Sequence, residues 1–187
     1  MELAKNTILL VDDEANVLSA LQRALFDEPF EVLTAISGED GLNQLLSHRV
    51  KIVISDERMP GMDGSAFLSA VKEKYPETVR IMLTGNASLE SAMKAVNCGE
   101  IYRFLTKPWQ DLELKLAIAS AIEKFDLEEE NRRLLRTIRN QAVEIKLLER
   151  QYPGIARHGK NTAGVFVLPD ISDDDLVAII AEFEKKY

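Results

Sequence analysis

A chain of 187 residues, 46% of them hydrophobic, has the apolar content for one ordinary domain with its own core plus an extension. No apolar run approaches the ~20 residues that cross a bilayer, and a single cysteine, Cys98, excludes an internal disulfide framework. The excess of 31 acidic over 23 basic residues, a net charge of −8, argues against a nucleic-acid partner and makes a soluble cytoplasmic protein without membrane insertion the expectation.

The opening residues, Met1-Glu2-Leu3-Ala4-Lys5, run directly into a strand, so no signal peptide is expected. The first strand, at about 7–11, ends in Asp12-Asp13-Glu14, and a helical pattern follows at 15–26. A second strand at 30–35 leads to Ser37-Gly38-Glu39-Asp40, where Ser37 is a natural N-cap for a helix over 38–47. The third strand, at 51–55, finishes at Asp56 and enters the loop Glu57-Arg58-Met59-Pro60-Gly61-Met62-Asp63-Gly64, with a helix over 64–74 beyond it. A fourth strand at 80–84 ends on Thr84, a helix is expected at 88–97, and a fifth strand at 101–105 stops short of Lys107-Pro108. This alternation predicts a parallel sheet with crossover helices, a three-layer α/β domain over residues 1–125.

The fifth helix, from about 110, meets no Gly or Pro until Pro153-Gly154. Within it Asn131, Ile138 and Ile145 occupy a positions of a heptad, and Leu127, Leu134, Gln141 and Leu148 occupy d positions. The flanks are charged, with Glu128, Glu129, Arg132, Arg133, Arg136, Arg139, Glu144 and Lys146. So narrow a stripe has nothing to bury itself against except a copy, so residues 126–151 read as a coiled coil ~32 Å long between Leu127 and Leu148. Asn131 at an a position favours a parallel, in-register homodimer. A solvated linker helix is the alternative. Residues 152–187 form a tail too small to fold securely alone, with a short strand near 164–168 and a helix carrying Leu176, Ile179, Ile180 and Phe183 on one face.

Four strand ends thus carry Asp-Asp, Asp, Thr and Lys, at the edge of an open parallel sheet where ligands bind. Magnesium takes hard oxygen ligands, usually one or two carboxylates with several waters. Asp12 or Asp13 with Asp56 meets that need if strands one and three are neighbours. Close carboxylates repel, so such a site is expected to be poorly stable without a cation. A carboxylate also serves as a nucleophile toward phosphorus. Phosphoryl transfer asks mainly for positioning and charge neutralisation, for which Lys107 supplies an ammonium and Thr84 a hydroxyl. Taken singly, each residue has a plainer reading: a turn former, a cap, a solvated charge.

Together, Leu10-Val11-Asp12-Asp13-Glu14, Ser55-Asp56 with Met59-Pro60-Gly61-Met62-Asp63-Gly64, Leu83-Thr84-Gly85, and Lys107-Pro108 resemble the receiver domain of bacterial two-component response regulators. The resemblance covers residues 5–125. It implies a flavodoxin-like fold with strand order 2-1-3-4-5, and Asp56 as phosphoacceptor for a sensor histidine kinase or phosphotransfer protein. It also implies a magnesium site (manganese or calcium substituting) formed by Asp12, Asp13, Asp56 and the Arg58 backbone carbonyl. Thr84 and Phe104 become the switch pair, with Tyr102 a second aromatic beside it, and the Lys107-Pro108 bond is expected to be cis. Glu57, Arg58 and Asn86 fall at positions variable in the family.

Gly99 to Trp109, and Glu130-Asn131-Arg132-Arg133-Leu134, further resemble receivers that precede cyclic-di-GMP phosphodiesterases of the HD-GYP type. No HD or GYP motif is present, and His48 and His158 are too few for a di-metal centre. The expectation is therefore a non-enzymatic receiver acting through its coiled coil on the tail, on a downstream protein partner, or on an output domain outside this sequence. A regulatory fragment of a larger effector enzyme is the alternative. A haloacid-dehalogenase-type phosphatase fits poorly, because the first strand ends in the adjacent acids Asp12-Asp13, whereas those enzymes carry the second Asp two residues after the nucleophile.

Overall fold

The computed structural model describes residues 6–85 and 101–151, together with the backbone of two short strands at 159–160 and 166–167. The chain divides into two compact units, Met1–Arg132 and Arg133–Tyr187. The first contains strands β1 (Asn6–Val11), β2 (Phe30–Ala35), β3 (Ile52–Asp56), β4 (Val79–Thr84) and β5 (Arg103–Thr106). They form one parallel sheet in the order β2-β1-β3-β4-β5, so β1 and β3 are neighbours as the site requires. Every predicted strand is present, to within about two residues at its ends.

Alternation along the central strands fills two cores. Ile8 and Leu10 of β1 point to one face with Ile52 and Ile54 of β3, and Leu9 and Val11 point to the other with Val53. Helix α1 (Ala15–Ala24) covers the first face through Leu18 and Leu21, and α3 (Gly64–Lys74) covers the second through Phe67, Leu68 and Val71. Burial on both faces is what a parallel sheet needs, and it explains the near-continuous Ile/Leu/Val runs. Helix α2 (Gly38–Ser47) starts where expected: the Ser37 hydroxyl accepts from the Asp40 N–H at 3.1 Å, and Asp40 accepts in return from the Ile36 N–H. The predicted helix at 88–97, and Cys98 with it, lie outside the described residues.

The last helix, α4 (Asp111–Gln151), is 41 residues long. Leu114, Ala117, Ile118, Ala121 and Phe125 recur at helical spacing and are fully buried against the first core. Beyond Phe125 the helix leaves the core but is still braced. The Arg49 guanidinium pairs with Glu129, and the Lys51 ammonium lies 2.6 Å from Asp126. Both cations stand over the Phe125 ring, at 5.9 and 5.3 Å from its centroid. The hydrogen bond and charge of Arg49 hold the Glu129 carboxyl below its ordinary range.

Of the predicted seam, Leu127, Asn131, Leu134, Ile138, Gln141 and Ile145 are exposed and Leu148 is half-buried. Leu135, Val143 and Leu147, outside that seam, are exposed as well, so the apolar surface is wider than two positions per heptad. In the second unit, β6 (Gly159–Lys160) pairs antiparallel with β7 (Phe166–Val167). β7 falls within the predicted strand. β6 lies in the tail before the expected strand, where none was expected, and its two residues carry no alternation from which a strand is read. The helix expected around Leu176, Ile179, Ile180 and Phe183 lies outside the described residues. Among the described residues, no helix is long and apolar enough to cross a membrane.

Candidate functional site

The carboxyl ends of β1, β3, β4 and β5 bring Asp12, Asp56, Thr84 and Lys107 into one place. Asp56 is the last residue of β3 and only 7% exposed, and Asp12, just past β1, is 1% exposed. Buried carboxylates need donors, and both have them. Asp12 accepts from the Glu14 N–H at 2.9 Å, and Asp56 accepts from the Arg58 N–H at 2.8 Å. Between them stands Lys107, with Nζ at 2.7 Å from Asp12 Oδ2 and paired also to Asp56 Oδ1. Partial burial pulls the Lys107 ammonium down, but the hydrogen bonds and charges of Asp12 and Asp56 outweigh it and raise its pKa above the ordinary lysine value. Its backbone is fixed too, since the Lys107 N–H donates to the Thr84 carbonyl at 2.7 Å. The Lys107-Pro108 peptide bond is cis, as expected.

Asp13, the next residue after Asp12, is not part of this hydrogen-bonded cluster. It is exposed, and among the described residues it carries no hydrogen bond or ion pair. Among the described residues, no three acidic, imidazole or thiol side chains converge into a ready-made metal cluster. The donor chemistry nevertheless suits a hard divalent cation: the buried Asp12 and Asp56 carboxylates against the one ammonium leave a net negative charge, and every candidate ligand is an oxygen.

Thr84 is almost fully buried, and its hydroxyl donates to the Glu57 carboxylate. The two aromatic candidates separate. Phe104, opposite Met82 in the β4–β5 register, packs on the core that contains Phe67 and Ile101. Tyr102 packs on the opposite core and lies near the cations of Arg103 and Lys124.

Glu57, Asp63 and Gly64, named from the sequence as loop residues, make site contacts that sequence reasoning did not foresee. Asp63 caps α3, accepting from the Ala66 N–H at 2.7 Å. A Cβ on Gly64 would sit 1.9 Å from the Asp56 carbonyl oxygen, so only glycine fits there. Glu57 had a usable signal. The β3–β4 register pairs Asp56 with Leu83, which places the next residues, Glu57 and Thr84, level with one another.

Residues 8–119 match the response regulator receiver domain. The chain belongs to that family. The receiver is 39% identical over 128 residues to the hydrogenase transcriptional regulatory protein HoxA of Cupriavidus necator, a match covering 68% of this chain and 26% of HoxA. It is 31% identical over 178 residues to the C4-dicarboxylate transport transcriptional regulatory protein DctD of Rhizobium meliloti, covering 95% of this chain and 37% of DctD. Among solved structures, it resembles the signal receiver domain of an HD domain-containing protein from Pseudomonas fluorescens Pf-5. That match has a TM-score of 0.62 and 42% identity, and covers 65% of this chain and 98% of the other. The matches span 26% of HoxA and 37% of DctD, and the flavodoxin-like fold that the resemblance implies, strand order 2-1-3-4-5, is the observed one.

Proposed function

We propose that this receiver is phosphorylated on Asp56 by a sensor histidine kinase or phosphotransfer protein, with magnesium bound by Asp13, Asp56 and the Arg58 carbonyl and Asp12 lining the pocket. The observation that carries the reading is the Asp56 carboxylate itself, buried at a strand end and held between the Arg58 N–H and the Lys107 ammonium. One oxygen of that carboxylate attacks the phosphorus of the donor, the bond from phosphorus to the donor's leaving atom breaks, and an acyl phosphate forms. The backbone donor and the packing of β3 hold the nucleophile in place, which is most of what this chemistry asks of a protein. Lys107 balances phosphoryl charge that otherwise falls beside Asp12. Magnesium, when bound, neutralises charge on the incoming phosphoryl oxygens.

Thr84 then donates its hydroxyl to a phosphoryl oxygen, and Phe104 repacks at the edge strand beside it. The signal leaves through α4, whose exposed residues from Leu127 to Leu148 form the interface of a parallel homodimer, toward the tail, a protein partner or an output domain. Acetyl phosphate with magnesium is expected to label the wild type and not Asp56→Asn. Equal labelling of both removes the assignment.

A second reading rests on the DctD match, which runs through 95% of this chain and so past the receiver. Under it, the receiver is the regulatory part of a longer transcriptional regulator, and α4 leads to its effector region. The gene sequence following Tyr187 decides between the two: a DNA-binding or catalytic region there selects the second.

A further inference from the structure

Glu57 directly follows Asp56 in the chain. Its backbone is clamped at the end of the sheet, the N–H donating to the Leu83 carbonyl at 3.0 Å and its carbonyl accepting from the Gly64 N–H at 2.9 Å. That clamp points the carboxylate at Thr84, whose hydroxyl donates to it. A hydroxyl has one proton to donate. Thr84 therefore cannot give it to Glu57 and to a phosphoryl oxygen on Asp56 together.

We infer that Glu57 is a positioning residue that holds the Thr84 hydroxyl in the resting state, and that the phosphoryl group must displace it for the receiver to switch. The inference rests on Asp56 being the phosphoacceptor. Burial gives the exchange its direction. Thr84 is 1% exposed, so water is a poor substitute partner and its hydroxyl draws on a protein or phosphoryl acceptor in either state. Glu57 is only half-buried, so its carboxylate returns to water once displaced. The bond is charge-assisted, the stronger kind, and it is present only before phosphorylation. Glu57 thus lowers the free energy of the resting state alone, and it sets the amount of phosphoryl-group binding energy spent on switching. Its placement next to the acceptor, level with Thr84, follows from the β3–β4 register, not from a chance side-chain rotamer.

The test is a double-mutant cycle read by calorimetric titration with beryllofluoride and magnesium, a stand-in for the phosphoryl group. Wild type binds and Asp56→Asn does not; if Asp56→Asn binds equally, the phosphoacceptor reading falls and this inference with it. Given that control, Glu57→Ala binds about tenfold more tightly than wild type, the scale of one charge-assisted hydrogen bond lost from the resting state. In a Thr84→Ala background the same substitution changes affinity by less than about twofold. A tightening of equal size in both backgrounds assigns the effect to carboxylate charge alone and overturns the inference. So does unchanged or weaker binding by Glu57→Ala. Glu57→Gln, which keeps an acceptor of the same shape without the charge, falls between wild type and Glu57→Ala.

Discussion

Gly64 lies so close to Asp56 that a single methyl group on it would stand 1.9 Å from the Asp56 carbonyl oxygen. The first residue of α3 therefore fixes the main chain of the phosphoacceptor candidate. The obstacle is backbone, not the far end of a side chain, so no rotamer change relieves it. Gly64→Ala is expected to lose about 3 kcal/mol or more of stability, the upper range for overpacking, together with acetyl-phosphate labelling. A urea titration giving a midpoint equal to wild type would show that the loop yields and that Gly64 does not set the site.

Among the described residues, Lys107 is the cation paired with both buried carboxylates. Removing it leaves Asp12 and Asp56 facing each other with too little positive charge, the costly half of a broken buried pair. Lys107→Met is expected to cost about 2–3 kcal/mol, at the low end of such losses because the lysine keeps some solvent contact. Magnesium should restore more stability to this variant than to wild type, since cation binding is linked to folding. Thermal melts with and without millimolar magnesium measure both effects, and an equal response in the two proteins would argue that the cation does not share the carboxylates with Lys107.

The acid-bearing strand ends were legible because two simple periodicities converge there. Continuous apolar runs mark buried parallel strands, and the residue that ends each run must sit at the sheet's carboxyl edge. Asp12, Asp56, Thr84 and Lys107 could be placed together on that argument before any contact was known. The Glu57–Thr84 bond spans 27 residues and depends on strand register, which a linear pattern does not display. The brace of Arg49 and Lys51 on α4 was hidden for a related reason: both cations precede β3 and meet a helix 75 to 80 residues later. The charged flanks of α4 showed no partner in the linear pattern, although Glu129 among them is held by Arg49 and the nearby Asp126 by Lys51.

Phe125 and Leu127 are two residues apart on α4 and differ in kind. Phe125 is fully buried in the first core, whereas Leu127 is largely exposed. Phe125→Ala is expected to destabilise the receiver by about 4 kcal/mol, the usual cost of emptying a buried aromatic site. Leu127→Ala should cost less than about 0.5 kcal/mol in the monomer. Denaturant titrations of the two variants locate the residue at which the core of the receiver ends; equal losses would extend that core past Phe125.

The Arg49–Glu129 pair predicts a small effect of defined sign with pH. The folded-state pKa of Glu129 is lowered from its ordinary 4.5, so its contribution to stability is present above that value and is lost as the pH falls through the lowered one. Both side chains keep solvent contact, which limits the pair to under about 0.5 kcal/mol. Wild type and Glu129→Gln should therefore differ slightly at pH 7 and converge as the pH falls through the lowered pKa. A difference that grows on acidification would assign the stabilisation to something other than the ionised carboxylate.

The seam on α4 is the part of the proposal with the most to lose. Leu134 is 52% exposed and Ile138 59% exposed, so replacing both by lysine removes nothing from a monomer's core. If copies of this chain pair through that face, the same replacement buries two ammonium groups per helix in an apolar interface, which is strongly unfavourable. Wild type is then expected to sediment as a dimer at micromolar concentration and Leu134→Lys/Ile138→Lys as a folded monomer with unchanged beryllofluoride binding. Asn131, at an a position, should allow the parallel in-register pair and disfavour others, so Asn131→Leu is expected to strengthen association while broadening the distribution of oligomers. A double-lysine variant that stays dimeric would place the contact elsewhere, and the route from Thr84 and Phe104 through α4 to a paired helix would have to be abandoned.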